Sequence, residues 1–277
     1  MEDKERRIVV MKIMKTILAA LIVGIVCLGK GFLELDQVSI SEIILWNAFD
    51  GIEYYPQYIS DFMFQYMPLF IFQILFSVNI YKHFCSASVY YFSRNINRIH
   101  WYLKEVAKMY VNAVIYLFVI CVTEIVFICF FASITVDVSA VIIAIYYILI
   151  YSLFLLATTL AINVFSIIFS SNIGFITVQS VILLFISVFF MLGNYIGDGV
   201  FTEKTTLFLK GNMIANLIFS IHSSKIEKVN ELIHMQEIHF DLNFSILYYL
   251  ILSAGVLILG CYVVEKHEFI INSKELE

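Results

Sequence analysis

Six apolar stretches, each long enough to cross a bilayer as a helix, constrain what this chain can fold into. They run from about Lys12 to Phe32, from Asp61 to Tyr81, from Met109 to Ala132, from about Val141 to Phe169, from Ile173 to Ile196 and from Phe244 to Val264. A helix crosses the hydrocarbon layer with roughly 20 mainly apolar residues. The fourth stretch is long enough to tilt or to continue beyond the bilayer. In lipid every backbone polar group must be satisfied within the protein, which leaves helices and closed barrels. Barrel strands would alternate apolar and polar residues over roughly 10 positions, and these runs do not. The expectation is an all-α, polytopic membrane protein: one six-transmembrane-helix bundle spanning residues 1–277.

Composition agrees. The chain is 61% hydrophobic and 14% charged, whereas soluble domains carry about 45–50% apolar and about 25% charged residues. One soluble core cannot hide that surplus. The net charge of −5 matters less than where the charges lie. Lys4, Arg6, Arg7, Lys12 and Lys15 precede or open the first run; Lys82, Arg94, Arg98, Lys104 and Lys108 separate the second from the third; Lys266 and Lys274 follow the sixth. These segments hold twelve of the seventeen basic residues. The segment from Glu34 to Asp61 has no Lys or Arg but carries Glu34, Asp36, Glu42, Asp50, Glu53 and Asp61. The positive-inside rule then places both termini and the loop 82–108 in the cytoplasm, with 33–60 and 197–243 outside. No A-x-A-like site follows the first run, and Ile25 and Val26 before Cys27 do not suit lipoprotein cleavage, so that run is expected to stay as a permanent span.

The loop 82–108 holds the most informative pattern. Phe92, Ile96, Ile99, Leu103, Val106 and Tyr110 fall at steps of 4, 3, 4, 3 and 4, the spacing of one helix face. Arg94, Asn97, Arg98, Trp101, Lys104, Glu105 and Lys108 fill the remaining surface. This reads as an amphipathic helix at the inner membrane surface that runs into the third span. It serves either as a topology anchor or as a surface whose Arg94 and Arg98 meet carboxylates of a cytoplasmic partner. The first fifteen residues allow a second interfacial helix, or simply obey the charge rule.

Glu124 is the acidic residue expected deep inside a span. A charge at the bilayer centre costs roughly 2.5–3.5 kcal/mol, so it should face the bundle interior, find a partner or carry a proton. Thr123, Asn163 and Gln179 are candidate interhelical hydrogen-bonding groups, as are Gln65 and Gln73. These groups line a substrate route or act as polar glue; the spacing allows both. The outer segment 197–243 carries Leu207, Phe208, Met213, Ile214, Leu217, Ile218 and Phe219. It is expected to form short helices that dip into the outer leaflet or cap the bundle, with a more polar surface helix within 224–239.

Other chemistry finds little support. The run Gly24 to Gly31 resembles a phosphate loop but ends in Gly31 where Ser or Thr is required, and it lies in a membrane helix rather than between strand and helix. His234, Glu237 and His239 do not have the H-E-x-x-H spacing, and His83 with Cys85 makes no closed ligand set. The expectation is no metal site and no cofactor on this chain. Cys27, Cys85, Cys121, Cys129 and Cys261 include no C-x-x-C pair and read as small apolar residues. The basic residues are explained by the membrane, so nucleic acid is not an expected partner.

The arrangement resembles the integral-membrane subunits of type-2 ATP-binding-cassette exporters of low-GC Gram-positive bacteria. Shared features are six spans, cytoplasmic termini, a basic amphipathic segment before the third span and short helices before the last. The stretch Ser93-Arg94-Asn95-Ile96-Asn97-Arg98-Ile99-His100-Trp101-Tyr102-Leu103-Lys104 is similar to the Arg/Trp/Lys pattern of that family. The resemblance implies that Phe92, Arg94, Arg98, Trp101 and Lys104 contact a separate ATPase subunit, which would hold ATP and magnesium. It also implies a second permease copy, or a paralogous permease, as partner within the lipid. Members of this branch are linked to export of, or protection against, lantibiotics and other antimicrobial peptides. Two further readings stand beside it: a membrane immunity or binding protein that transports nothing, and an intramembrane enzyme built on Glu124.

Overall fold

The computed structural model describes residues 2–28, 32, 35–49, 58–90, 97–192, 203–233 and 240–266. It is mostly helical. Its elements in chain order are α1 (Glu2–Val26), β1 (Gln37–Ser39), α2 (Ile40–Asn47), α3 (Ile59–Phe76), α4 (Asn79–Tyr90), α5 (Arg98–Ile128), β2 (Ser133–Thr135), α6 (Val138–Ile168), α7 (Ser171–Met191), α8 (Glu203–Gly211), α9 (Glu227–Ile233) and α10 (Leu242–Lys266). Two single turns of 3₁₀ helix, Ala215–Leu217 and Phe219–Ile221, lie between α8 and α9.

Among the described residues, five helical segments are long and apolar enough to cross a membrane: Ile59–Cys85, α5, α6, α7 and α10. The apolar part of α1, Ile13–Val26, is shorter. Local signals start the helices where they begin. Ser170 caps α7 by accepting from the Ile173 amide, and Asn97 caps α5 by accepting from the His100 amide, each satisfying an N–H that has no partner within its helix. Ser39 and Glu42 form a reciprocal capping box that starts α2.

The bundle is organised around α6, which packs against α2, α3, α4, α5, α7, α9 and α10. Its interior face carries Ile143, Tyr147, Ile150, Tyr151, Phe154 and Leu155, all essentially buried. The turn from α6 to α7 is tight because position 174 is glycine; a Cβ there would lie 2.5 Å from the Ser166 hydroxyl. Outward faces are apolar too: Leu184, Ile251 and Ile258 are exposed, as expected where the solvent is hydrocarbon.

Three features depart from the sequence reading. First, the fold is not purely helical: β1 and β2 pair in parallel, Gln37 opposite Ser133 and Ser39 opposite Thr135. This ties together segments almost a hundred residues apart, which no local pattern announces. Second, the acidic segment after α1 contains α2, whose Ile43, Ile44, Leu45 and Asn47 are buried in the bundle. Its end turns at Phe49, whose φ of 59° is the left-handed region that a bulky side chain rarely adopts. The Phe49 ring stacks on Phe62 with centroids 4.5 Å apart, and that packing holds the backbone in place. Third, the second apolar run is divided at Ser77 and Val78, between α3 and α4.

The stretch before α10, called the cap below, holds α8, the two 3₁₀ turns and α9. Leu209, Met213, Ile214, Leu217, Ile218 and Phe219 are buried, packed over the end of the bundle where α1 and α5 finish and α6 and α10 begin. Leu207 and Phe208 instead face outward.

Candidate functional site

Polar side chains inside this bundle have few places to find partners, so their hydrogen bonds locate the special positions. Four groups emerge.

Glu124 is fully buried. It sits four residues before the end of α5, or about 6 Å along the axis at 1.5 Å per residue, close to the end of the bundle rather than mid-span. Its Oε2 accepts a hydrogen bond from the side-chain amide of Asn47 at the end of α2, and Asn47 also donates to the Ile43 carbonyl. Glu124 Oε1 is buried without a partner among the described residues. Thr123, considered as a neighbouring donor, bonds instead to the Val119 carbonyl of its own helix.

Asn163 holds together the break between α3 and α4. Its Oδ1 accepts from the amides of Ile80 at 2.9 Å and Tyr81 at 3.1 Å. Its Nδ2 donates to the carbonyls of Phe76 at 3.3 Å and Thr159 at 2.8 Å. One buried side chain on α6 therefore takes up donors and an acceptor that the interrupted helix leaves over.

Gln73 is the hub of the third group. Its Oε1 accepts from Gln179 Nε2 at 2.7 Å and Tyr66 Oη at 3.3 Å, and its Nε2 donates to Thr158 Oγ1 at 2.9 Å. α3, α6 and α7 are thereby tied through amides. Gln65 Oε1 is buried and unpartnered among the described residues.

The fourth group is in the cap. His222, Ser245 and Asn216 are all fully buried. His222 Nδ1 lies 2.6 Å from the Ile218 carbonyl and Nε2 lies 2.7 Å from Ser245 Oγ, while Ser245 Oγ donates to Asn216 Oδ1 at 2.9 Å. Burial pushes the imidazole down from its ordinary 6.5 to about 4, against the opposing pull of the Ile218 carbonyl and Asp241. A Ser–His contact of this kind invites a catalytic reading, but none of the three side chains is accessible to a substrate.

At the opposite end of the bundle, the first turns of α5 carry the residues expected to meet a partner. Arg98 is half-buried and Lys104 exposed. Trp101 stacks on Phe84 of α4, centroids 5.9 Å apart. Phe92 and Arg94 lie outside the described residues. The buried positions here are Tyr102, Val106 and Met109, which pack with Ile80, Phe84 and Val264. Leu103, expected on the apolar face, is 40% exposed. The face that enters the bundle is thus rotated from the expected one, because it meets α4 and α10 rather than the membrane plane. Gly260 makes room for Tyr102: a Cβ at 260 would lie 1.8 Å from the phenol oxygen. Next to it, Glu105 takes His83 Nδ1 at 3.2 Å and Lys108 Nζ at 2.6 Å. These border a cleft of about 180 Å³ between α1, α5 and the α3–α4 break.

Among the described residues no group of three His, Cys, Asp or Glu is placed to hold a metal ion; His234, Glu237 and His239 lie outside them. Asn163 and Gln179 do make interhelical bonds, Asn163 to the α3–α4 break and Gln179 to Gln73. Asn47, Asn216, His222 and Ser245 were not singled out in the sequence. The architecture is that of a multi-pass membrane protein, with five helices among the described residues long and apolar enough to cross. No family model, curated protein or solved structure matches this chain.

Proposed function

We propose that this chain is the membrane-spanning permease subunit of an ATP-binding-cassette exporter, driven by a separate ATPase subunit. In this reading α1 is a sixth span, both termini are cytoplasmic, and the α4–α5 end of the bundle faces the cytoplasm. The observation that carries it is the continuity of α5. Its 31 residues make a rod of about 46 Å, well beyond the ~30 Å hydrocarbon layer. The basic turns around Arg98, Trp101 and Lys104 project at one end, wedged between α4 and the end of α10. Glu124, bonded to α2 beneath the cap, lies at the other. A push on the projecting turns is transmitted along the rod to the α2–cap assembly, a rigid-body switch between two packings.

The cleft beside α5 supports an amphipathic cargo. Ile13, Phe76, Ile80 and Met109 give it an apolar floor, and Glu105 and Lys108 give it a charged rim. Amphipathic peptides and lipid-like molecules have that division of character. Two permease subunits, identical or paralogous, complete the route.

The test is copurification. The tagged chain, expressed with its chromosomal neighbours and solubilised in mild detergent, brings down an ATPase subunit, and the double charge reversal Arg98→Glu/Lys104→Glu releases it. A chain that purifies without any ATPase, yet protects cells from an antimicrobial peptide, is a membrane immunity protein instead.

A further inference from the structure

The cap contains a chain of hydrogen bonds that is one proton short when His222 is neutral. The count starts at Asn216. Its Nδ2 donates to two backbone carbonyls, Lys210 at 3.0 Å and Asn212 at 2.8 Å. Both amide protons are therefore used, and the orientation of the amide is settled: Oδ1 points at Ser245 Oγ, 2.9 Å away. An amide oxygen only accepts, so Ser245 must give it the hydroxyl proton. At the other end, Ile218 offers His222 a carbonyl, which also only accepts, so Nδ1 carries a proton. Between them, Ser245 Oγ and His222 Nε2 are 2.7 Å apart. With the hydroxyl proton committed to Asn216, that contact is a hydrogen bond only if Nε2 is protonated as well.

We propose that His222, Ser245 and Asn216 form a proton-uptake site that joins the cap to α10, with His222 as the residue that takes the proton. With the imidazole neutral, the single hydroxyl proton of Ser245 serves either Nε2 or Asn216 Oδ1, and the remaining contact sets two lone pairs against each other. With the imidazolium, Nδ1–H donates to Ile218, Nε2–H donates to Ser245 and Ser245 donates to Asn216. All three contacts are then bonds.

The surroundings determine when this happens. Asp241, just ahead of α10, raises the proton affinity of His222, while burial lowers it. Lys210 of α8 directs its ammonium over the Phe244 ring. The phenols of Tyr151 on α6 and Tyr249 on α10 donate to the carbonyls of Leu217 and Met213. Glu227, Lys228 and Glu231 of α9 are exposed. The Phe240 ring lies 4.1 Å from the imidazole, centroid to centroid. Burial prevails, so the buried site binds its proton less tightly than a histidine in water. The Ser245–Asn216 chain limits that effect, because it supplies one bond that only the imidazolium uses. The site is independent of whether the chain serves an ATPase.

The experiment is an NMR titration of the full chain in nanodiscs with ¹⁵N-labelled histidine, the His222 signals being identified by their loss in His222→Gln. Ser245→Ala and Asn216→Ala each weaken proton binding at His222 by roughly tenfold, the worth of one charge-assisted hydrogen bond. The double variant is no weaker than Ser245→Ala alone, because the bonds form one chain. Should Asn216→Ala not fold, Ser245→Thr keeps the hydroxyl and the wild-type titration while Ser245→Ala does not. Unchanged or tighter proton binding in Ser245→Ala, or effects of the two substitutions that add, overturns the proposal.

Discussion

Asn47 of α2 donates its side-chain amide to the buried carboxyl of Glu124 on α5, across 77 positions of sequence. Both side chains lie inside the bundle, at 8% and 0% exposure. A short helix from an acidic loop is thus fastened to the far end of the 31-residue rod α5. Phe219 of the cap donates its amide to the Ala48 carbonyl next door, so α5, α2 and cap are joined in sequence.

Asn47→Ala leaves the Glu124 carboxyl without its donor. Stranding a buried acceptor costs about 1–3 kcal/mol, more if it is charged, whereas replacing both partners by apolar groups is often nearly neutral. Thermal unfolding in detergent should show a clear loss for Asn47→Ala and recovery of most of it in Asn47→Leu/Glu124→Leu. A double variant as weak as the single one would mean the two residues act separately.

Asn163→Ala frees two amides and a carbonyl at the α3–α4 break together. With at least two stranded groups, the expected loss is about 2–5 kcal/mol. Hydrogen exchange at Ile80 and Tyr81 should rise well above the wild-type rate. Asn163→Asp, which keeps the acceptor and loses the donor, should protect those two amides while still weakening the protein.

Gly260→Ala drives a methyl group into the Tyr102 phenol, 1.8 Å from its oxygen. Tyr102 is fully buried and has no room to swing aside. Overpacking of this kind costs about 1–3 kcal/mol. Adding Tyr102→Leu to Gly260→Ala should restore part of the stability. If it restores none, the contact between α5 and α10 at this point is not the one described.

His222 gives the protein an acid-labile term with a definite sign. Its folded value of about 4 lies below its ordinary 6.5, so the unfolded chain takes the proton first. The contribution is complete above pH 6.5, is lost progressively as pH falls to about 4, and changes no further below that. Its size is about 3 kcal/mol, at 1.36 kcal/mol per unit. Comparing unfolding of wild type and His222→Gln from pH 8 to pH 4 should show a pH-dependent difference confined to that window.

The membrane-crossing helices were legible because a long apolar run has few structural solutions, and α5, α6, α7 and α10 lie close to the runs that announced them. The burial of Ile214, Leu217 and Ile218 was legible for the same reason: apolar residues clustered in a long connection had to be covered. α2 left a local trace, the Ser39 and Glu42 capping box, in a segment whose acidic residues drew attention to charge alone. The partners of Glu124, His222 and Asn163 left none. Each depends on how segments far apart in sequence close in space, and Asn47, Ser245 and the Phe76–Ile80 break are ordinary residues until they do. The rotation of the α5 face has a similar origin: Leu103 fits the helical spacing as well as Tyr102 does, and only the position of Gly260 on α10 decides between them.

The central claim is that the basic turns at the start of α5 face the cytoplasm while the cap faces outward. Single cysteines placed at Lys104 and at Leu207 in a cysteine-free chain, both exposed positions, can be probed in intact cells with a membrane-impermeant maleimide. The account predicts labelling at 207 alone, with 104 reacting only after the membrane is opened. Labelling of 104 in intact cells would contradict it, because no cytoplasmic ATPase could then reach α5.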